Sequence, residues 1–425
     1  MDIGSRLRKL RLERGLTQEQ VAKPRYSSAY ISTIEAGKRV PSTSALTHFA
    51  GRLGVDPAEL ISGQSPGRRA ELLAKYGEAR RILAGAAPNA IEEAQARLTR
   101  LARAAKREGF RDVEAKATIA LGLCAETRND LDAALAIYEG CLDSLGGDGP
   151  LIRLDAVVGR ARVLQTKGDV AYAAFLIEKA IAELGAEKLD DPSALVRLYS
   201  SLVAAYFDAG LIEQADGASE HALKLAVLVE DPERLANMNL NVGIMLAQSG
   251  RWQEAETRLA EAQRWFDELH FVVDLARVRL VRGINLRNQE RFDEARSHLT
   301  AAREAFAAAD SKLRDARATV ALGILERRAG RLDDATFLLK RAISLAETDE
   351  GIAGIAHREL ALCLQDRGKA ISGLRKAIGL LERAGIAKEL AATYRALGDV
   401  LSNDKELKPA CDAYRKAADL FERAA

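Results

Sequence analysis

Three stretches decide how most of this chain is built: GIMLAQSGRWQEAETRLAEA at 243–262, GINLRNQERFDEARSHLTAA at 283–302 and GILERRAGRLDDATFLLKRA at 323–342. Each holds a glycine, a polar turn, then an alanine with an apolar residue four later and a small residue three further on. Steps of four and three put those last residues on one face of a helix. The glycine belongs to a helix before the turn, so each stretch predicts two paired helices with small residues where they cross. Outward from these, the pattern recurs as Gly122…Ala134-Tyr138-Cys141, Ala161…Ala173-Ile177-Ala180 and Tyr206…Ala215-Ala222. Towards the C-terminus it recurs as Ala361…Ala370-Leu374-Ala377 and Gly398…Ala410-Tyr414-Ala417, and a weaker unit stands at Ala94, Leu98 and Leu101. The last small residues fall at 141, 180, 222, 262, 302, 342, 377 and 417, a period near 40 with one interval of 35. A turn about three residues shorter, around Gly368, is the expected cause of the short interval.

Composition agrees with an all-α chain. Of 425 residues, 48% are hydrophobic and 29% charged, which is globular rather than disordered, and only 5% are aromatic, which disfavours sandwiches and barrels. No stretch approaches 18 apolar residues and the opening MDIGSRLRKL has no apolar run, so neither a membrane span nor a secretory signal is expected. Cys124, Cys141, Cys363 and Cys411 are scattered, and read as buried thiols of a reducing cytosol. The five histidines are isolated, and no phosphate loop, dinucleotide fingerprint, H-E-x-x-H or G-x-S-x-G occurs. No enzyme activity, cofactor or metal is therefore expected. Met245 and Trp252 occupy helical positions that read as core.

Paired helices held at a steady phase resemble the tetratricopeptide (TPR) repeat, in a longer-helix variety than the 34-residue form. The resemblance implies a superhelical solenoid of eight or nine helix pairs over residues 70–425, with the first helix of each pair lining a concave channel. In that register Arg197, Asn237, Arg277, Arg287, Asn288, Arg317 and Arg327 face inward as candidate effector-binding residues. Arginine captures carboxylates or phosphates in a bidentate grip, and asparagine holds an extended peptide backbone. Arg277, Arg287 and Arg317 are expected to converge on one stretch of the channel.

Ahead of the repeats, residues 1–62 read as a separate domain, followed by a linker at 63–69. Residues 1–69 hold twelve Lys and Arg against six Asp and Glu, a net +6, and the remainder nets −4 with 51 basic and 55 acidic residues. A basic head on a slightly acidic body points to a polyanion partner. Five short helices are expected here, the second opened by a capping box at Thr17 and Gln20 and ended before Pro24. The third runs from about Ser28 to Ala36. Two such helices joined by a tight turn in a basic unit describe a helix-turn-helix. With Ile31 and Ile34 in the core, Ser28, Ala29, Ser32 and Thr33 face a major groove, and Gln18, Arg25, Lys38 and Arg39 reach phosphates.

The run GLTQEQVA, then YISTIEAGKRVPS, then LTHFAGRLGV resembles the Cro/C1 (XRE) family of repressors across residues 5–61. That resemblance implies DNA-contacting roles for Gln18, Ser28, Ala29, Thr33 and Lys38. It also implies a structural ion pair between Arg11 and Glu35. The turn between helices two and three, Lys23-Pro24-Arg25-Tyr26, departs from the family by one residue. A Cro/C1-like head on a TPR body is similar in architecture to the RRNPP quorum-sensing regulators. The similarity implies a cytoplasmic transcriptional regulator, nucleoid-associated when bound, that recognises a palindromic double-stranded operator. A short peptide or small anionic effector in the channel, and a homodimer formed through the C-terminal repeats, complete the expectation. The competing expectation is a TPR scaffold that recruits a partner protein and is tethered to DNA by its head.

Overall fold

The computed structural model describes residues 2–62, 65–85, 87, 89–146, 149–402 and 407–424; among them are 23 helices and no strand. None of these helices is long and apolar enough to cross a membrane. The head comprises α1 (Ile3–Glu13), α2 (Gln18–Ala22), α3 (Ser28–Glu35), α4 (Thr43–Leu53) and α5 (Pro57–Ser62). Side chains set its boundaries. Asp2, Thr17, Ser27 and Ser42 each accept a backbone N–H of the turn they open, and Thr17 with Gln20 completes the capping box. The cap of α3 is Ser27, which leaves Ser28 as its first helical residue. Leu7, Val21, Ile31, Ile34, Phe49, Leu53 and Leu60 fill the core between the five helices.

The repeats follow at once. Residues 66–69, read from the sequence as linker, are the first turn of α6: Ser65 accepts the Arg68 N–H, and Pro66 supplies the φ that a first helical residue needs. The first four pairs are α6 (Pro66–Ala84) with α7 (Ala90–Glu108), α8 (Arg111–Thr127) with α9 (Leu131–Ser144), α10 (Pro150–Thr166) with α11 (Val170–Ala186), and α12 (Pro192–Asp208) with α13 (Ile212–Ala226). Three more are α14 (Pro232–Gln248) with α15 (Trp252–Glu268), α16 (Val272–Asn288) with α17 (Phe292–Ala308), and α18 (Lys312–Arg328) with α19 (Leu332–Leu345). The last two are α20 (Glu350–Ala361) with α21 (Arg367–Ala384), and α22 (Ala387–Ser402) with α23 (Leu407–Ala424). The weak ninth unit at Ala94, Leu98 and Leu101 is α7, with all three side chains buried.

The repeating glycines show their purpose as distances. A Cβ at Gly283 would lie 2.5 Å from Leu299 Cγ, and one at Gly323 would lie 2.7 Å from Leu339 Cγ. A Cβ at Gly122 or Gly159 would lie 2.6 or 2.5 Å from the Tyr138 ring, so that ring fills the crossing of its own pair and the next. In these pairs the first helix therefore rides directly on a large residue of the second.

Three expectations change. The 35-residue interval comes from the first helix and not from the turn: α20 has 12 residues where α18 has 17. Asp366 caps α21 by accepting the Lys369 N–H, so Gly368 lies inside a helix. Cys124, Cys141 and Cys363 are buried but Cys411 is exposed, because it faces away from the Ala410, Ala413 and Ala417 stripe of α23. Trp252 is 40% exposed, whereas Met245 is core.

Candidate nucleic-acid interface and effector channel

In the head, packing presents one face of α3. Ile31 and Ile34 are fully buried, while Ser28, Ala29, Ser32 and Thr33 are exposed, as are Arg25, Lys38 and Arg39. The placement of α3 depends on α1, because a Cβ on Gly4 would lie 1.9 Å from the Ile34 carbonyl oxygen. Arg11 donates to both carboxylate oxygens of Glu35, at 2.6 and 2.9 Å, and to the Leu16 carbonyl at 3.0 Å. Gln18 gives its amide Nε2 to the same carboxylate at 2.9 Å, so it is held by Glu35 at the edge of the face. Burial alone would raise the Glu35 pKa; the hydrogen bonds from Arg11 and Gln18 outweigh it and hold the carboxyl below its ordinary range. Arg39 lies over the Tyr30 ring at 4.9 Å, and Tyr30 stacks on Tyr26. That arrangement stiffens a cation at the end of the face. Thr33 donates its hydroxyl to the Tyr30 carbonyl at 2.8 Å, leaving its oxygen and methyl turned outward.

In the array, the expected convergence of Arg277, Arg287 and Arg317 divides in two. Ten residues separate Arg277 from Arg287, about 15 Å along a helix, so they serve opposite ends of the channel. At one end Arg277 pairs with Asp274 at 2.9 Å and Arg317 is exposed. There they meet Arg314, whose pKa is pushed down to about 10 by burial and by these cations. Arg314 was not legible as a site residue, although it stands one 40-residue period after Asp274. At the other end Arg327 is neutralised by Glu359 at 2.8 Å. Arg287 is not neutralised in that way: its Nε is buried without a hydrogen bond, and its Nη2 reaches only Asn288, at 3.4 Å. Burial and the neighbouring Arg328 and Arg327 push its pKa down to about 10, against the opposing charge of Glu359. Asn288, the next residue, lines a cavity of about 570 Å³ together with Trp252, Glu290, Phe292 and Arg328. Nearer the N-terminus, Arg197 faces Asp155 at 3.7 Å. Asn237 gives its amide to its own helix, at the Glu233 carbonyl, and so is not free to hold a backbone through that nitrogen.

Comparison with known proteins places both parts. A helix-turn-helix domain family matches residues 2–61, and a tetratricopeptide repeat family matches residues 274–348. The uncharacterized HTH-type transcriptional regulator y4dJ of Sinorhizobium fredii is 43% identical over 61 residues, which are 14% of this chain and 79% of that protein. The chain belongs to the HTH-type transcriptional regulators. Beyond the head, the regulator shares its fold with a Rap protein solved in complex with competence and sporulation factor. That likeness has a TM-score of 0.60 and 14% identity, and covers 84% of this chain and 98% of the other. The apo quorum sensor NprR of B. thuringiensis gives a TM-score of 0.57 at 14% identity, over 83% and 99% of the two chains. The regulator is thus a Cro/C1-type head on a TPR array, and it shares the fold of the Rap and NprR chains.

Proposed function

We propose that this regulator binds a palindromic operator through α3 and senses an anionic effector, a short peptide or a small carboxylate or phosphate, in the concave channel of its repeats. The observation that carries the effector reading is Arg287: a buried guanidinium near two cations, with no carboxylate hydrogen-bonded to it, whose neighbour Asn288 lines an open cavity with Arg328. An anionic group seated there replaces the missing counter-charge, and Trp252 and Phe292 supply apolar walls for the rest of a ligand. Ser28, Ala29, Ser32 and Thr33 supply base-edge contacts, and Arg25, Lys38 and Arg39 supply phosphate contacts, with Gln18 oriented by Glu35. The same reading places the regulator in the cytoplasm as a homodimer whose two heads meet half-sites about one helical turn apart.

The test begins with a duplex selected from a random pool by the purified protein. Replacing Lys38 and Arg39 by Ala should weaken all duplexes alike and flatten the salt dependence, whereas Thr33→Ala should shift preference at particular base pairs by about 1 kcal/mol. The reverse pattern would discard the proposed docking of α3. For the channel, native mass spectrometry with extracts of the source cells should show a small ligand on the wild type and none on Arg287→Leu, with DNA binding of the variant intact. A stoichiometric protein partner in place of the ligand would favour the scaffold reading.

A further inference from the structure

One stripe of α6 is ordinary for a first helix: Leu72, Ala79 and Leu83 are buried against α7 and α8. An adjoining stripe, Tyr76, Arg80 and Ala84, runs beside it at i, i+4, i+8, with Tyr76 still packed against the core shared with α7 and α8. It reaches far along the sequence. Arg80 donates Nη2 to the Glu233 carboxylate in the first turn of α14, 153 positions later, and its side chain is 16% exposed. Tyr76, one turn before, is sunk among Arg80, Glu233, Asp155 and Arg197, and that burial raises its phenol pKa. Ala84, one turn after, is 6% exposed and joins the apolar core of α10 to α16, where α6 meets α16 over a small patch. This face of α6 therefore closes across the concave channel, touching first helices four and five repeats further on.

We propose that the Arg80–Glu233 pair is a releasable latch, and that α6 is the moving part through which occupancy of the channel reaches the DNA-binding head. Two features make the latch releasable. Its apolar patch is small compared with the packing of α6 on α7 and α8. Its charges are also crowded: Arg197 beside it has Asp155 only at 3.7 Å, and Glu233 is 41% exposed and open to competition. An anion entering this end of the channel competes with Glu233 for Arg80. With Arg80 held by the anion, the ion pair that ties α6 to α14 is gone, and only the small apolar patch on α16 still holds α6 across the channel. The connection to the head is short. Three residues separate Ser62 from Pro66, a reach of about 14 Å at full extension. Moreover α5 is tied into the head by Leu60, which is fully buried, and by Arg6, which donates to the Leu60 and Ile61 carbonyls. A displacement of α6 that exceeds this reach carries α5 with it, provided the ligand favours the open array over the closed one.

This inference rests on the reading of the channel as an effector site, but its first test needs no effector. Hydrogen exchange is measured on the full-length protein alone, as wild type, Arg80→Glu, Glu233→Arg and the exchanged pair. Each single reversal should raise exchange tenfold or more in the amides of α6 and the first turn of α14, leaving α18 to α22 within twofold. The exchanged pair should return α6 to within threefold of wild type. Should the reversals not fold, Glu233→Gln should give the same pattern at smaller amplitude. Unchanged exchange in α6, a uniform rise through α22, or no recovery in the exchanged pair would each overturn the latch. Coupling is then read with the selected duplex, whose affinity should differ at least threefold between wild type and the single variants. Equal affinities would overturn the link to the head, while the ligand test at Arg287 would stand unaffected.

Discussion

Glu35 joins three parts of the head that the chain brings together from 24 positions apart: the start of α2 through Gln18, α1 through Arg11, and its own recognition helix. Its carboxyl titrates below the ordinary value of 4.5. The contribution it makes to stability is therefore complete above the unfolded value and is lost as pH falls through the folded one. Exchange protection in α1 to α3 should weaken on acidification below about pH 4.5. Glu35→Gln should remove that acid dependence and lower the neutral-pH plateau by roughly 3 kcal/mol, because Arg11 keeps its buried position without a counter-charge. A variant that kept the wild-type acid profile would locate the responsible carboxylate elsewhere. Gly4 is as demanding for a different reason. Its missing Cβ is replaced by the Ile34 carbonyl, backbone that has no rotamer to yield. Gly4→Ala should cost about 1–3 kcal/mol and weaken DNA binding although Gly4 touches no base; thermal melts and duplex titration check both.

At the scale of the helix pair, the crossing of α16 over α17 depends on the depth of Gly283 on Leu299. Adding a methyl at Gly283 forces Leu299 from a fully buried position. Gly283→Ala should destabilise this part of the array by about 1–3 kcal/mol, and Leu299→Ala alone by about 2–5 kcal/mol. The two together should cost clearly less than their sum, since the second change vacates the space that the first one needs. Urea unfolding of the four proteins of the cycle measures this, and strict additivity would show that the two residues do not share a crossing. The same geometry explains how one channel end acquires cations: a 40-residue period stacks like positions, so Arg277 and Arg317 lie on successive first helices.

At the scale of the whole molecule, charge and exposure distinguish the two ends of the chain. The head carries its positive excess to DNA. On α23, Leu407 is 66% exposed and Tyr414 37%, while Ala410, Ala413 and Ala417 pack inward on α22. Phe421, on the same helix, lies outside the residues whose side chains are described. If copies of the chain pair through this end, Leu407→Lys should place a charge in the contact and give a monomer by light scattering. It should also weaken binding to a two-half-site duplex much more than to a single half-site. A dimer that survives the substitution would move the interface away from α23.

The helices, their pairing and the faces of α3 were legible in the sequence because they follow from local rules. Caps at Thr17 and Ser42, left-handed glycines at 15, 37 and 54, and the recurrence of small residues each act within a few positions of the chain. What those rules do not reach is how far the array curls. Curling sums small rotations over many pairs, and that sum decides whether α6 meets α14 and α16 or stays clear of them. It also decides which arginines are neutralised. Arg277, Arg287 and Arg327 look equivalent in sequence. Yet Arg277 finds Asp274 and Arg327 finds Glu359 on the next first helix, while Arg287 forms no ion pair and buries its Nε without a hydrogen bond. Sequence alone determined a helix-turn-helix head on a repeat array. Only the tertiary structure decided where in that array a counter-charge is missing, because an ion pair depends on distances between helices that no local pattern records.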